Sequence, residues 1–237
     1  MKYLVLASFV FLAACATTPP AKTDAALSPK AIAPTAAATR SARLKSGNSN
    51  SGWYQQALAE LQQNGNRAGI ADFQRVREAY TTSARYAPYT DPLYEVVKSG
   101  IQQMQKGDWT ACAGSAAEIV QANYTSLSGH FLGMTCNAKA GNREAGESHR
   151  FALDGFMAAI RSTGNGKTME TAYHTYSPQE LRAFLQLQGL EIVDQSLVRG
   201  ERGIYDQMGV RDPKTGRTFR LYFNITKQWA EGTSKFN

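Results

Sequence analysis

Apolar residues recur every three or four positions between residues 53 and 163, and this spacing predicts amphipathic helices. The pattern is clearest over residues 70–80, 109–120 and 145–160. Helix boundaries are indicated where a glycine precedes a residue suited to N-capping, at Gly107 with Asp108 and at Gly141 with Asn142. The front half of the folded region is therefore predicted to consist of helical hairpins.

The two glycines lie 34 positions apart, which is the period of tetratricopeptide-like helical hairpins. Gly100 precedes Gly107 by seven positions as in that repeat, whereas Met134 replaces the corresponding glycine of the second unit. A generic pair of helical hairpins explains the pattern equally well. Because two units are marginal alone, we expect them to pack on the helix near residues 70–83 or on the C-terminal region, within one domain.

After about residue 164 the apolar period changes from that of a helix to that of a strand with one face on a core. The predicted strands cover residues 169–176, 190–198, 203–211 and 219–225, with a hairpin turn at 212–216. Ser177 and Glu180 form a capping box with Pro178 at the first helical position, which opens a helix that ends near Gly189. The predicted fold class is α+β: tetratricopeptide-like N-terminal helical hairpins packed with a C-terminal antiparallel sheet of about four strands and one crossing helix.

The first residues have the layout of a secretory signal peptide, with one charge at Lys2, a short apolar run and small residues before Cys15. The run is too short to cross a bilayer, which needs roughly 20 apolar residues. The tetrad Leu12-Ala13-Ala14-Cys15 resembles the lipobox of bacterial lipoproteins, which implies removal of residues 1–14 and lipid attachment to Cys15. An ordinary signal peptide with a chance cysteine is the alternative. Ala16 is not the aspartate that retains such proteins at the inner membrane, so the outer membrane, facing the periplasm, is favoured.

Residues 15–52 are rich in Ala, Thr, Pro, Ser and Lys and contain almost no large apolar side chain, so we expect a disordered tether. As a flexible coil the tether would reach on the order of 30 Å. Residues 53–237 are expected to form one folded domain, with a helical part over 53–163 and a sheet part over 164–237.

Removal of the signal peptide leaves 25 basic and 19 acidic side chains, a net charge of about +6. Such a mild excess favours weak attraction to anionic lipid or cell-wall polymers over nucleic-acid binding. No basic stretch is interleaved with aromatic residues. We therefore expect a membrane, reached through the lipid anchor, and an envelope protein as partners, and no nucleic acid.

His130 and His149 are the best candidates for chemistry in the helical part. A helix reversal near residues 140–141 places the two rings within reach of each other, and facing imidazoles can bind a metal or move a proton. A buried, hydrogen-bonded pair is the structural alternative. Neither histidine belongs to an HExxH helix and no third ligand is evident, so we expect neither a metal nor another cofactor.

Asp206 falls on what should be the apolar face of a strand, where a carboxylate must be paired. Arg77, which lies on an apolar helical stripe, is one candidate partner. Such a pair is either a structural ion pair or part of a ligand-binding site. Tyr80, Tyr86 and Tyr89 can line a groove, although core and turn packing also explains them.

With Cys15 lipidated, Cys112 and Cys136 remain, an even number in an oxidising compartment. The two are symmetric about residue 124, where the chain turns between helices, so they can face each other. A disulfide and a pair of packed thiols are both compatible with this arrangement.

Residues 164–168 look like the tail of a phosphate-binding P-loop. Arg161 stands where the first glycine is needed, and the segment follows a helix and precedes a strand, which is the reverse of the required order. A glycine-rich turn without nucleotide is therefore expected there.

Several short motifs keep a fixed order from about residue 70 to residue 226. They are Asp72-Phe73, Arg77, Tyr80, Tyr86-Ala87-Pro88-Tyr89, His149, Ser162, Gly164-Asn165-Gly166, Leu187-Gln188-Gly189-Leu190, Gln195-Ser196-Leu197, Tyr205-Asp206 and Leu221-Tyr222-Phe223-Asn224-Ile225. Together they resemble a bacterial family catalogued as domain of unknown function 4919, with Asn165 where the family's aspartate is expected. The resemblance implies the domain boundaries and a secreted or lipidated setting, and it assigns no activity, cofactor or catalytic residue.

Three functional hypotheses follow. The leading one is a lipid-anchored envelope protein that binds another protein or a peptide without catalysis, because of the repeat-like period and the long tether. The first alternative is an envelope hydrolase or metal-dependent enzyme that uses His130, His149 and Asp206, although no GxSxG elbow supports a common hydrolase route. The second alternative is a binder of a small ligand or a cell-wall fragment.

Overall fold

A computed structural model describes residues 49–234 of the chain. The signal peptide, Cys15 and most of the expected tether lie outside these residues. The described α-helices and strands are, in chain order, α1 (Ser49–Asn64), α2 (Ile70–Tyr80), α3 (Tyr94–Lys106), α4 (Trp109–Ala122), α5 (Leu127–Lys139), α6 (Arg143–Arg161), β1 (Tyr173–His174), α7 (Pro178–Leu187), β2 (Glu191–Gly200), β3 (Gly203–Arg211), β4 (Thr218–Asn224) and α8 (Thr226–Ser234), and a short 3-10 helix (Gly65–Arg67) follows α1. The fold class is α+β, and α1 begins three residues before the predicted end of the tether at residue 52.

The helical half is a run of antiparallel neighbours, in which each of α3, α4 and α5 packs against the next helix and α2 packs on α6. Two of the breaks between helices use glycines in the left-handed region, Gly107 with φ of 77° and Gly141 with φ of 89°. Asp108 then caps α4, because its carboxylate accepts a hydrogen bond from Ala111 N at 3.1 Å. The predicted helix boundaries at these two glycines are therefore present in the structure.

The four strands lie in the order β1-β4-β3-β2. The hairpins β2–β3 and β3–β4 are antiparallel, but β1 pairs with β4 in parallel, so the prediction of an entirely antiparallel sheet was wrong. The reason is that α7 carries the chain back across the sheet, so that β2 starts in the direction of β1 and the two hairpins then give β4 the same direction.

A strand was predicted over residues 169–176, and the structure has only the shorter strand Tyr173–His174 there. In the loop before it, the backbone N–H groups of Asn165 and Gly166 both donate to the Thr171 carbonyl, at 2.9 and 2.7 Å. These local bonds fold the segment on itself, so it cannot extend along β4. The glycine-rich region is a helix-to-strand turn, as its order in the chain predicted.

The main core lies between the helices and one face of the sheet, which we call the inner face. Its central side chains are Phe73, Phe156, Ile160, Leu181, Phe184, Met208, Val210 and Phe223. A smaller core inside α3, α4 and α5 consists of Cys112, Ala116, Ile119, Leu132 and Cys136. Among the helices that the structure describes, none has the length and apolarity needed to cross a membrane.

A disulfide joins Cys112 of α4 to Cys136 of α5, with the two Cα atoms 5.8 Å apart. Both residues are fully buried in the smaller core. The bond therefore closes the end of the α4–α5 hairpin that lies opposite the turn near residue 124.

Loss of this disulfide should lower the free energy of unfolding by about 3 kcal/mol, because the cross-link closes a loop of 24 positions in the unfolded chain. Urea unfolding of the oxidised and the reduced protein measures the effect. The double variant C112A/C136A is the control and should unfold at the same urea concentration with and without reductant. Equal midpoints for the oxidised and reduced wild type would contradict the prediction.

Candidate binding groove

A groove with a volume of about 540 Å³ lies between α3 and α7, and we call it the α3–α7 groove. One wall carries Tyr94, Val97 and Ile101 of α3, and the opposite wall carries Gln179, Arg182 and Gln186 of α7. Both sets have the spacing i, i+3 and i+7, which places each on one face of its helix. The groove therefore has one apolar wall and one hydrogen-bonding wall.

The apolar wall is open to solvent: 59% of Tyr94 and 39% of Ile101 are exposed. The helix is held to its neighbours at Gly100, where a Cβ atom would lie only 2.8 Å from Leu132 Cδ1. The close approach at Gly100 docks one face of α3 on the smaller core and leaves the Tyr94–Ile101 face to the groove. Large apolar side chains exposed beside a cavity are typical of binding surfaces.

The loop between α2 and α3 forms one end of the groove and is fixed by Tyr86. The Tyr86 hydroxyl donates a hydrogen bond of 2.7 Å to the Tyr176 carbonyl, and burial raises the pKa of Tyr86 above its ordinary value. The ring of Tyr80 packs edge-on against Tyr86 with centroids 5.9 Å apart. Tyr80 and Tyr86 line this groove, whereas Tyr89 lines a second, smaller cavity beside Trp229.

Arg77 and Glu180 hold α7 against α2 beneath the groove. Arg77 is 1% exposed, and its Nε lies 2.8 Å from Glu180 Oε1. Its two remaining nitrogen atoms donate to Gln74 Oε1 at 2.7 Å and to the His174 carbonyl at 2.8 Å. The second carboxylate oxygen of Glu180 accepts from Tyr176 N at 2.7 Å. The orientation of α7, and with it the hydrogen-bonding wall, is therefore set by a buried ion pair.

The pairing of Arg77 with Asp206 that the sequence suggested does not form. Ser177 caps α7, because its Oγ accepts from Glu180 N at 3.1 Å, and the Glu180 carboxylate lies at the start of the helix, beside α2, where it accepts from Tyr176 N. Asp206 lies on β3, where Gln195 and Arg182 are the groups that act on its carboxyl. The carboxylate that pairs with Arg77 is therefore that of Glu180 in the first turn of α7, and not that of Asp206 on β3.

His130 of α5 and His149 of α6 face each other with their Nδ1 atoms 3.1 Å apart. His130 Nε2 donates to the Tyr124 carbonyl at 2.8 Å, so Nδ1 of the same ring must accept, and the proton between the rings belongs to His149. Burial lowers the pKa of His130 to about 4 and also lowers the pKa of His149. Gly133 permits this approach, because a Cβ there would lie 2.5 Å from the His149 ring.

This histidine pair is neutral near pH 7 and lies outside the groove lining. Neither imidazole is among the groups that act on Asp206, so the structure does not assemble His130, His149 and Asp206 into one cluster. Within residues 49–234 no group of three or more His, Cys, Asp or Glu side chains is arranged to hold a metal ion.

The sequence matches the family model described as Domain of unknown function (DUF4919) over residues 41–233. The chain belongs to this family. The match covers α1 to the last turn of α8, so the groove and the histidine pair both lie within the DUF4919 domain. No curated protein and no solved structure matches the chain significantly.

The buried histidine should make the stability of the DUF4919 domain fall in acid. Because the folded pKa of His130 is about 4 against an ordinary 6.5, the unfolded chain takes up a proton below about pH 6.5 that the folded state accepts only near pH 4. The contribution of His130 to the free energy of unfolding is therefore fully present above pH 6.5. It is lost between pH 6.5 and 4 and amounts to on the order of 3 kcal/mol.

Urea unfolding of the wild type and of His130→Gln across this pH range measures the effect. The glutamine keeps a donor for the Tyr124 carbonyl but does not titrate, so the variant should lose less stability than the wild type between pH 6.5 and 4. His174→Gln, outside the pair, is the comparison: burial also lowers the pKa of His174, but by less, so this variant should retain more of the wild-type slope than His130→Gln does. Parallel pH profiles for wild type and His130→Gln would show that His130 does not carry the effect.

Proposed function

We propose that the protein is a lipid-anchored component of the bacterial envelope whose DUF4919 domain binds a peptide segment of another envelope protein in the α3–α7 groove. The observation that carries the proposal is the pairing of an exposed apolar stripe on α3 with a glutamine and arginine stripe on α7. The proposed binding is non-catalytic.

The dimensions of the groove suit an extended peptide. Seven residues of helix separate the outer members of each wall, a rise of about 10 Å. Three residues of extended chain span about the same length. The amides of Gln179 and Gln186 can each donate and accept, which matches the N–H and C=O groups of a peptide backbone, and Arg182 supplies further donors. The peptide's apolar side chains would then pack on the α3 wall.

The helical scaffold supports the same proposal. The pairs α3–α4 and α5–α6 follow each other with their left-handed glycines, Gly107 and Gly141, 34 positions apart. We propose that they are two tetratricopeptide-like units. Stacked repeats of this kind create extended concave surfaces on which binding partners lie.

The proposed location rests on the N-terminal sequence. The tetrad Leu12-Ala13-Ala14-Cys15 has the lipobox pattern, and the family match begins at residue 41, which leaves room for a signal peptide and a tether before the domain. Several acyl chains are needed for stable attachment, and lipoprotein processing supplies them. The Cys112–Cys136 disulfide fits an exported protein, since such bonds persist in oxidising compartments. We favour the outer membrane, with the domain in the periplasm.

A photo-crosslinking amino acid at Tyr94, inside the groove, should capture one defined peptide segment of a partner protein in intact cells. Mass spectrometry identifies the segment, and a synthetic peptide of that sequence is then titrated against the purified protein. We expect Ile101→Glu to weaken the peptide's affinity at least tenfold, because it places a charge on the apolar wall. Phe151→Ser removes an exposed aromatic side chain outside the groove and should leave the affinity unchanged.

Two results would contradict binding in the α3–α7 groove. One is the same set of crosslinked proteins from a probe at position 151 as from a probe at position 94. The other is a peptide that binds Ile101→Glu as tightly as the wild type.

Replacement of Cys15 by serine tests the anchor independently of the groove. Cys15→Ser should fail to incorporate labelled palmitate and should leave the membrane fraction, because the serine side chain cannot carry the thioether-linked lipid. Ala16→Ser is the matched control and should still be labelled. Retention of both label and membrane fractionation in Cys15→Ser would show that the tetrad is not a lipobox.

A further inference from the structure

A cavity of about 340 Å³ lies between α8 and the loop that joins α2 to α3, and we call it the Tyr89–Trp229 cavity. Its α8 wall consists of Trp229, Gly232 and Thr233, whose spacing of i, i+3 and i+4 places them on one face of the helix. Tyr89 belongs to the loop on the other side. Of the described residues that line the cavity, Pro88 is the one that also lines the α3–α7 groove. The volume lies within the range of small-molecule sites, which begins at about 300 Å³.

Two aromatic rings line this cavity. Tyr89 is 48% exposed, so its ring is open to a ligand. The ring is seated on α8 because Gly232 leaves room for it: a Cβ atom at that position would lie only 2.5 Å from Tyr89 Cε2. Trp229 already attracts one cation of the protein, since the guanidinium Cζ of Arg199, which is not part of the lining, lies 5.8 Å from the ring centre. Both side chains belong to the class that binds a cation through the face of the ring.

The charge at the cavity wall is negative. Glu231 lines the cavity from the last turn of α8, and that turn carries no basic side chain. A helix C-terminus is itself the negative end of the helix dipole. None of the described lining residues is Lys, Arg or His. The carboxylate, the helix end and the ring faces therefore all attract a positive charge and disfavour an anion.

The scarcity of hydrogen-bonding groups selects among cations. A primary ammonium carries three N–H donors, and each of them costs free energy if it is buried without an acceptor. Besides the Glu231 carboxylate, the polar side chains of the described lining are the hydroxyls of Tyr89, Thr90 and Thr233. Thr233 Oγ1 already donates to the Trp229 carbonyl at 3.1 Å. A quaternary ammonium has no N–H donor to satisfy, and its methyl groups can pack directly on aromatic rings.

We propose that the Tyr89–Trp229 cavity binds a quaternary ammonium group, held between the rings of Tyr89 and Trp229 and the carboxylate of Glu231. The group can belong to a free small molecule or to a lipid headgroup, since both present the same trimethylammonium chemistry. This site is independent of the α3–α7 groove, so the proposal stands or falls without the peptide that we assign to the groove.

The test uses three defined compounds. Choline represents a free small molecule, glycerophosphocholine represents a lipid headgroup, and the neutral alcohol in which carbon replaces the choline nitrogen has the same shape without the charge. Binding to the full-length protein is followed by calorimetry and by tryptophan fluorescence, in a detergent without a quaternary ammonium headgroup. We expect choline or glycerophosphocholine to bind saturably and at least tenfold more tightly than the neutral alcohol. Preference for one of the two charged compounds distinguishes the two sources.

The variants assign the binding to the cavity. Tyr89→Ala should weaken the tighter-binding compound at least tenfold, whereas Tyr89→Phe keeps the ring and should bind like the wild type. Glu231→Gln removes the charge at nearly the same volume and should also weaken binding, and it serves if Tyr89→Ala lowers the thermal midpoint. Tyr94→Ala is the matched control, because it removes an exposed tyrosine of the α3–α7 groove and should bind normally.

Three results would overturn the proposal. They are failure of both charged compounds to bind, equal affinity for the neutral alcohol, and unchanged affinity in both Tyr89→Ala and Glu231→Gln.

Discussion

The ion pair between Arg77 and Glu180 connects the two halves of this molecule. Arg77 belongs to α2 in the helical half, and Glu180 lies in the first turn of α7, the helix that crosses to the sheet. A buried ion pair contributes little net stability compared with apolar residues of the same volume, because both charges lose their hydration. Removal of one partner destabilises the fold more strongly, by about 3–5 kcal/mol, because it leaves the other charge buried and unpaired. The pair therefore acts mainly to specify where α7 lies.

That placement determines the hydrogen-bonding wall of the α3–α7 groove. Arg182 is two residues from Glu180 along α7 and contributes both to the wall of the α3–α7 groove and to the field around Asp206. Tyr176 lies just before this helix, and its ring centre is 4.8 Å from the Arg77 guanidinium. The backbone carbonyl of Tyr176 accepts the hydrogen bond from the Tyr86 hydroxyl. One buried guanidinium thus orients α7, the segment before it and the loop that closes the groove.

Local sequence signals predicted the parts of the fold that local interactions decide. The strand Gly203–Arg211 and the start of α7 at Pro178 agree with expectation, because a turn sequence and the N-cap Ser177 fix their ends within a few residues. The approach of His130 and His149 followed from counting residues across one helix reversal, since neighbouring antiparallel helices leave little freedom. The partner of Arg77 could not be obtained in this way. Glu180 lies 103 positions away, and its role as a capping residue concealed its second role as an ion-pair partner.

The missed elements have physical explanations of the same kind. Helix α8 has few apolar residues besides Trp229, and it is held by contacts with β3 that no local pattern reveals. The length of β1 was overestimated because residues 165–171 bond among themselves. Tyr80 and Tyr86 were recognised in the sequence as possible groove residues, but the hydrogen-bonding wall was not, since Gln179, Arg182 and Gln186 resemble the solvated face of any amphipathic helix.

The distribution of polar groups is the reason that we propose a binding function and not a catalytic one. Each nitrogen of Arg77 donates to a protein acceptor, and both ring nitrogens of His130 are engaged, so the strongest candidate groups of the interior are committed to structure. A general acid or base must reach the proton that it transfers, and a side chain 1% exposed with both nitrogens bonded cannot do so without rearrangement of α5 and α6. The α3–α7 groove is lined mainly by amide, guanidinium, hydroxyl, apolar and aromatic side chains. These groups recognise a ligand by hydrogen bonding and packing.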